Sequence, residues 1–182
     1  HVTFVGSAQR RSVPKSIDGY LAAGVEPGTV VLLLDGVTDP HNYGAVLRSA
    51  DQFCVGLVVM PNRRSVRETD AVARASAGAV ASVNVVREAN LANAIRKLQD
   101  AGFWVYAADM EGTPSWQCDF TGNVALVLGS EGKGVSKVLT EAADKPVSIP
   151  TSGTGDSLNV SVAAGVLLYE VYRQHHSAHH SM

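Results

Sequence analysis

The chain has 182 residues, of which 46% are hydrophobic and 18% charged, and its formal net charge is −2. That balance describes one folded domain with a single core, not a disordered chain, and it argues against a protein that coats nucleic acid over its whole surface. No apolar run approaches the roughly 20 residues that cross a bilayer. Cys54 and Cys118 lack any paired spacing, as expected for reduced thiols in a cytoplasmic protein.

In chain order, residues 1–27 show weak periodicity punctuated by Pro14, Gly19, Gly24 and Pro27, and are expected to be a linker. From Val30 onward strands and helices alternate. Strands are expected at Val30–Leu34, Leu57–Met60, Val83–Val86, Trp104–Ala107, Val124–Leu128 and Val147–Ile149. Helices are expected at Tyr43–Phe53, Thr69–Ala77, Leu91–Ala101, Lys137–Ala142 and Asn159–Gln174. Such alternation implies βαβ crossovers and an α/β fold, a mainly parallel sheet with helices on both faces. The folded domain should span residues 28–176, with a frayed histidine-rich tail at 177–182.

Three segments share one design, in which a glycine- or proline-marked loop hands polar residues to the edge of the sheet. The first runs from the apolar strand ending at Leu34 through Asp39-Pro40-His41-Asn42 into a helix bearing Arg48. In the second, Val124–Leu128 breaks into Gly129-Ser130-Glu131-Gly132-Lys133-Gly134. In the third, Pro150-Thr151-Ser152-Gly153-Thr154-Gly155-Asp156-Ser157-Leu158-Asn159 runs directly into a long apolar helix. Ligands of open α/β sheets bind at the carboxyl ends of the strands, where all three loops fall.

Familiar nucleotide fingerprints do not fit. The order Gly129-x-x-Gly132-x-Gly134 reverses the Rossmann pattern, and Gly132-Lys133 leads to Gly134 where a P-loop needs Ser or Thr, so a plain NAD or ATP site is disfavoured. No His, Cys or carboxylate spacing suggests a metal site, and no nucleophile elbow surrounds a serine. His41 alone reads as a turn residue. Arg63, Arg64, Arg67 and Arg74 cluster in one stretch, diluted by Glu68 and Asp70, and Arg10, Arg11 and Lys15 form a smaller group. Singly these are solvated charges; a role on phosphate gains weight where the neighbouring site handles nucleic acid.

Together, Asn42 through Ala50, Leu128 through Gly134 and Ile149 through Ala164 resemble, in order and spacing, the three motifs of the SpoU (TrmH-like) branch of the SPOUT RNA methyltransferases. The wording is most like the enzymes that methylate a guanosine ribose in large-subunit ribosomal RNA; transfer-RNA and antibiotic-resistance relatives share the motifs. The resemblance implies S-adenosylmethionine as donor, a ribose 2′-oxygen of RNA as acceptor, a homodimer, no metal, and a C-terminal trefoil knot. It also implies that residues 1–27 are the remnant of an N-terminal RNA-recognition region. Carried over by position, Asn42, Arg48, Glu131, Ser157 and Asn159 are the catalytic candidates. Leu128, Gly129, Ser130, Ile149 and Leu158 are the cofactor-binding candidates, largely through main-chain groups. Arg48 is the residue the family casts as proton acceptor; as a guanidinium it is equally a clamp on phosphate and alkoxide. The rival from another class is a non-catalytic RNA-binding or ribosome-assembly module on the same fold, which the five occupied polar positions disfavour.

Overall fold

The computed structural model describes residues 13–63, 66–130, 132–155 and 157–177. Six strands, β1 (Val30–Asp35), β2 (Leu57–Pro61), β3 (Val85–Glu88), β4 (Trp104–Pro114), β5 (Val124–Gly129) and β6 (Lys145–Ser148), form one sheet in the order β3-β2-β1-β5-β4-β6. Every pairing is parallel. Parallel neighbours need crossovers that cover both faces, so their strands read as unbroken apolar runs. β1 and β5 are such runs. Val30, Leu32, Leu34, Val124, Leu126 and Leu128 face one core, while Val31, Leu33, Ala125 and Val127 face the other.

The first core is roofed by α2 (Pro40–Gln52), α3 (Asp70–Ala75) and α6 (Val160–Ser177); the second by α1 (Ile17–Ala22), α4 (Leu91–Asp100) and α5 (Lys137–Ala142). The helices start where capping chemistry places them. Asp39 accepts from the main-chain N–H groups of His41 and Asn42, and Pro40 occupies the first turn of α2. Asn90 caps α4 through Asn93, and Thr69 caps α3 through Val72.

The expected elements recur with shifted ends, and three shifts are corrections. Residues 17–22, inside the stretch expected as a linker, form α1. Ser16 caps it, Glu88 accepts from the Ile17 N–H at 2.7 Å, and the Ile17 side chain is fully buried. β4 runs on from Ala107 to Pro114, its pairing with β6 slipping between Ala108 and Thr113 so that both lie opposite Val147. That irregularity carries polar Asp109 and Glu111 along β4, next to the edge strand β6. β6 begins at Lys145 and ends at Ser148, which places Ile149 just beyond it. The tail residues 178–182 and residues 1–12 lie outside the described residues.

Candidate functional site

The strand order puts β1 beside β5, while the chain leaves β1 toward β2 on one side and β5 toward β6 on the other. Crevices at such reversals bind ligands. Asp35 and Gly129, the last residues of these strands, are register partners. The loops that leave them therefore start side by side. An added Cβ on Gly36 would lie 3.6 Å from Ser130 Cβ, and Asp35 Oδ2 accepts from the Ser136 N–H at 2.8 Å, tying the first segment to the second. Asp35 was not among the residues singled out from sequence; a carboxylate at the last position of a buried strand is the signal that could have found it.

The third segment joins the first directly. Asn159 Nδ2 donates to Asn42 Oδ1 at 3.1 Å across 117 residues of chain. The Asn159 side-chain oxygen accepts from the N–H of Ser161 at 2.8 Å and from its hydroxyl, so Asn159 caps α6 and faces α2 at once. Capping would be satisfied by Ser, Thr or Asp; an amide is needed to supply the donor as well.

Among the expected catalytic positions, the structure thus unites Asn42 and Asn159. Arg48 stands exposed two turns along α2, with no hydrogen bond or ion pair among the described residues, and Ser157 is exposed beside the α6 cap. Glu131 lies outside the described residues. Tyr43, next to Asn42, points the other way into the core. Burial pushes its hydroxyl up to about 12 against the opposing charge of Arg87, with Glu68 adding to the rise, and the buried oxygen has no partner among the described residues. Tyr43 is an anchor that fixes which side of α2 presents Asn42.

The expected cofactor positions share the same sheet edge. Leu128 is buried at 2% exposure, and Gly129, Ser130, Ile149 and Leu158 are half-buried. Gly129 is required for a reason the sequence does not disclose. A Cβ there would stand 2.0 Å from the Gly134 carbonyl carbon and 2.3 Å from the Val135 nitrogen, so the loop closes on its own main chain before any ligand arrives. Gly132 and Gly134 take φ of 83° and 66°, the left-handed region. Both face open space. Along the third loop, Pro150 to Gly155 are exposed and make no hydrogen bond among the described residues, which leaves their main-chain donors and acceptors available. Open glycine loops, unused main-chain groups and the apolar Ile149 and Leu158 suit a ligand held through main-chain hydrogen bonds and apolar contacts. No group of three His, Cys, Asp or Glu among the described residues could hold a metal. No helix there is long and apolar enough to cross a membrane.

A parallel sheet with a glycine loop at a reversal of strand order defines an α/β protein with a candidate ligand site at that edge. The chain belongs to the SpoU rRNA methylase family, whose model matches residues 29–169. It is 43% identical over 175 residues to the 23S rRNA (guanosine-2′-O-)-methyltransferase RlmB of Ralstonia nicotianae, covering 96% of this chain and 70% of that protein. It is also 43% identical over 145 residues to an uncharacterized tRNA/rRNA methyltransferase of Borreliella burgdorferi, covering 79% of this chain and 64% of that one. The SpoU methyltransferase AviRb of Streptomyces viridochromogenes, solved in complex with AdoMet, superposes with a TM-score of 0.74 at 29% identity, covering 82% of this chain and 59% of that one. The TrmH/SpoU tRNA modifying enzyme of A. aeolicus gives 0.76 at 28%, covering 84% and 78%.

Proposed function

We propose that the chain transfers a methyl group from S-adenosylmethionine to a ribose 2′-hydroxyl of RNA, with a guanosine of large-subunit ribosomal RNA as target. The observation that carries this reading is the Asn159–Asn42 hydrogen bond, which draws the third segment onto the first at the sheet edge where the second begins. The named activity of the Ralstonia relative supports the choice of nucleotide.

When bound, S-adenosylmethionine supplies a methyl group on a positively charged sulfur. Main-chain groups of Leu128, Gly129 and Ser130 and of the loop after Ile149 would hold it, and Ile149 and Leu158 would supply apolar contacts. To accept that methyl group, the ribose hydroxyl would have to give up its proton. That proton is held tightly at neutral pH, so the site must orient the oxygen and stabilise its developing charge. This reading assigns that task to Arg48, which is exposed and unpartnered among the described residues. A guanidinium stays protonated in proteins, so Arg48 acts as a clamp on phosphate and alkoxide while the proton passes to substrate phosphate or water. Asn42 and Asn159 orient the ribose, and Ser157 and Glu131 complete the acceptor side.

The same reading includes a homodimer and a trefoil knot. Val162, Val166 and Tyr169 recur along α6 at i, i+4 and i+7 and remain 50%, 39% and 54% exposed, a stripe suited to a second copy. Val166→Glu should shift sedimentation from dimer to monomer mass. The knot is part of this reading through the family resemblance. Residues 28–176 constitute the methyltransferase domain.

The test is a tritiated-methyl assay with deproteinised large-subunit ribosomal RNA as acceptor, the product nucleotide then mapped. Incorporation at a guanosine ribose is expected. Labelling of transfer RNA alone would move the substrate, and cofactor binding without incorporation into any RNA would turn the reading to the non-catalytic module.

A further inference from the structure

We propose that α3 and the residues leading into it form a second RNA-contacting flank, on which Arg63, Arg67 and Arg74 hold backbone phosphates beside the target nucleotide. The proposal rests on the reading that the chain acts on RNA.

Position is the first argument. β2 lies parallel beside β1, so Pro61 ends at the same sheet edge as Asp35, and Arg63 follows two residues later. α3 and α6 both pack on α2 within one core face. The α3 contact is at Gly44, two residues from Asn42, where a Cβ would lie 2.5 Å from Ala75 Cβ and 2.9 Å from the Val72 carbonyl oxygen. That approach brings the flank against the first turns of α2.

The flank is also anchored. Val66 is buried at 4% exposure, and its carbonyl accepts from the Arg87 guanidinium at 2.7 Å. The Asn62 N–H donates to the Glu88 carbonyl at 2.9 Å, and Thr69 caps α3. Arg87 and Glu88 thus hold Val66 and Asn62, while the side chains of Arg63, Arg67 and Arg74 are exposed.

Those arginines are uncommitted. Arg63, Arg67 and Arg74 are exposed and have no hydrogen bond or ion pair among the described residues. On the opposite face Lys97 pairs with Asp18 at 2.8 Å, Lys137 with Glu141 at 3.8 Å, and Arg96 donates to Asn93. Arg74 lies in the last turn of α3, where it complements the helix dipole, but a six-residue helix gains little from that. Glu68 and Asp70 are exposed within the same stretch and break it into separate cationic points. Discrete guanidinium forks, each able to grip a phosphate through two N–H groups, suit a polyanion held in one register. A net charge of −2 excludes a uniform electrostatic coat and leaves such local contacts as the means of holding RNA.

The experiment compares the wild-type chain with the triple variant Arg63→Ala/Arg67→Ala/Arg74→Ala, and with Arg96→Ala on α4 as control. Binding of a labelled single-stranded RNA is titrated at several salt concentrations. With three phosphate contacts removed, the affinity lost between about 50 and 200 mM salt should be about 20-fold smaller than for the wild type. In the methyl-transfer assay the triple variant should raise KM for RNA, keep kcat at saturating RNA, and leave S-adenosylmethionine affinity unchanged by calorimetry. Arg96→Ala should match the wild type throughout. A triple variant with wild-type salt dependence and KM would overturn the flank while leaving the proposed function standing, and so would an equal loss in Arg96→Ala. A wild-type chain that neither binds nor methylates RNA would overturn both.

Discussion

The two faces of the sheet are built from similar residues and use them differently. On the face covered by α1, α4 and α5, polar groups are absorbed by structure. Leu91, Ala94, Ile95 and Leu98 are buried along one side of α4, Asn90 caps it, Lys97 reaches Asp18, and Gln99 donates to the Ala142 carbonyl. On the face covered by α2, α3 and α6, Arg173 pairs with Glu170 at 2.7 Å and Gln174 donates to the Cys118 carbonyl, but other groups are left over. Arg48 is unpartnered and the Tyr43 hydroxyl unsatisfied among the described residues, and Val162, Val166 and Tyr169 stand half-exposed. Places where local rules lapse are candidates for function, because residues answering only to folding are consistent at every level.

The comparison breaks if damage to the quiet face alters chemistry. Leu98 is fully buried, so Leu98→Ala should lose about 2–5 kcal/mol of stability in urea unfolding. Methyl transfer per folded molecule should stay at the wild-type rate; a specific loss would show that α4 reaches the site after all.

Arg48→Ala is the mirror experiment. An exposed side chain without partners among the described residues should leave the unfolding midpoint where it was. The rate should fall roughly 10²–10³-fold, about 2.7–4 kcal/mol on the barrier, with S-adenosylmethionine affinity unchanged. Arg48→Lys should recover little, since an ammonium lacks the planar fork. Near wild-type turnover in Arg48→Ala would remove it from the chemistry, and lost cofactor affinity would move it to the donor side.

Gly129→Ala sharpens the comparison by coupling the two effects. The added methyl meets the main chain of residues 134–135, which cannot swing aside as a side chain can. A loss of about 1–3 kcal/mol in stability is expected, together with weakened cofactor binding. Gly153→Ala, where a Cβ meets open space, should leave stability unchanged. Full stability with lost binding in Gly129→Ala would restore ligand approach as the sole reason for the glycine.

What the sequence made legible does not follow that division. α5 was readable to the residue, Lys137–Ala142, and the paired strands β1 and β5 to within one, because a doubly covered strand writes its burial as an unbroken apolar run. α1 was not. Six residues containing Gly19 carry no period, and Ile17 is buried by partners distant in sequence, Glu88 among them. The extension of β4 was hidden by Asp109, Glu111 and Gly112, and the start of β6 by Lys145-Pro146, which a strand at the edge of the sheet tolerates. At the site, spacing alone could not bring together Asn42 and Asn159, 117 residues apart. Family resemblance supplied that pair, and geometry then supplied the bond. The reason for Gly129 was visible only once the loop was seen to close on itself.

The smallest expected effect separates folding from function within one side chain. Asn159 does two things: its oxygen caps α6 through Ser161, and its amide donates to Asn42. Asn159→Ala removes both and should lose about 1 kcal/mol of stability, with a fall in methyl transfer as Asn42 loses its tether. Asn159→Asp keeps the cap, and a carboxylate at a helix N-terminus holds it at least as well. It also replaces a donor with an acceptor facing the Asn42 oxygen, so the bond can survive only if Asn42 turns its amide over and presents the opposite polarity to the ribose. Stability should therefore match the wild type in Asn159→Asp while turnover stays low. Unfolding in urea and turnover at saturating RNA, measured on both variants, decide the matter. If activity returns with the cap, the Asn159–Asn42 bond serves only to fasten α6 to α2, and the orientation of Asn42 is immaterial to the reaction.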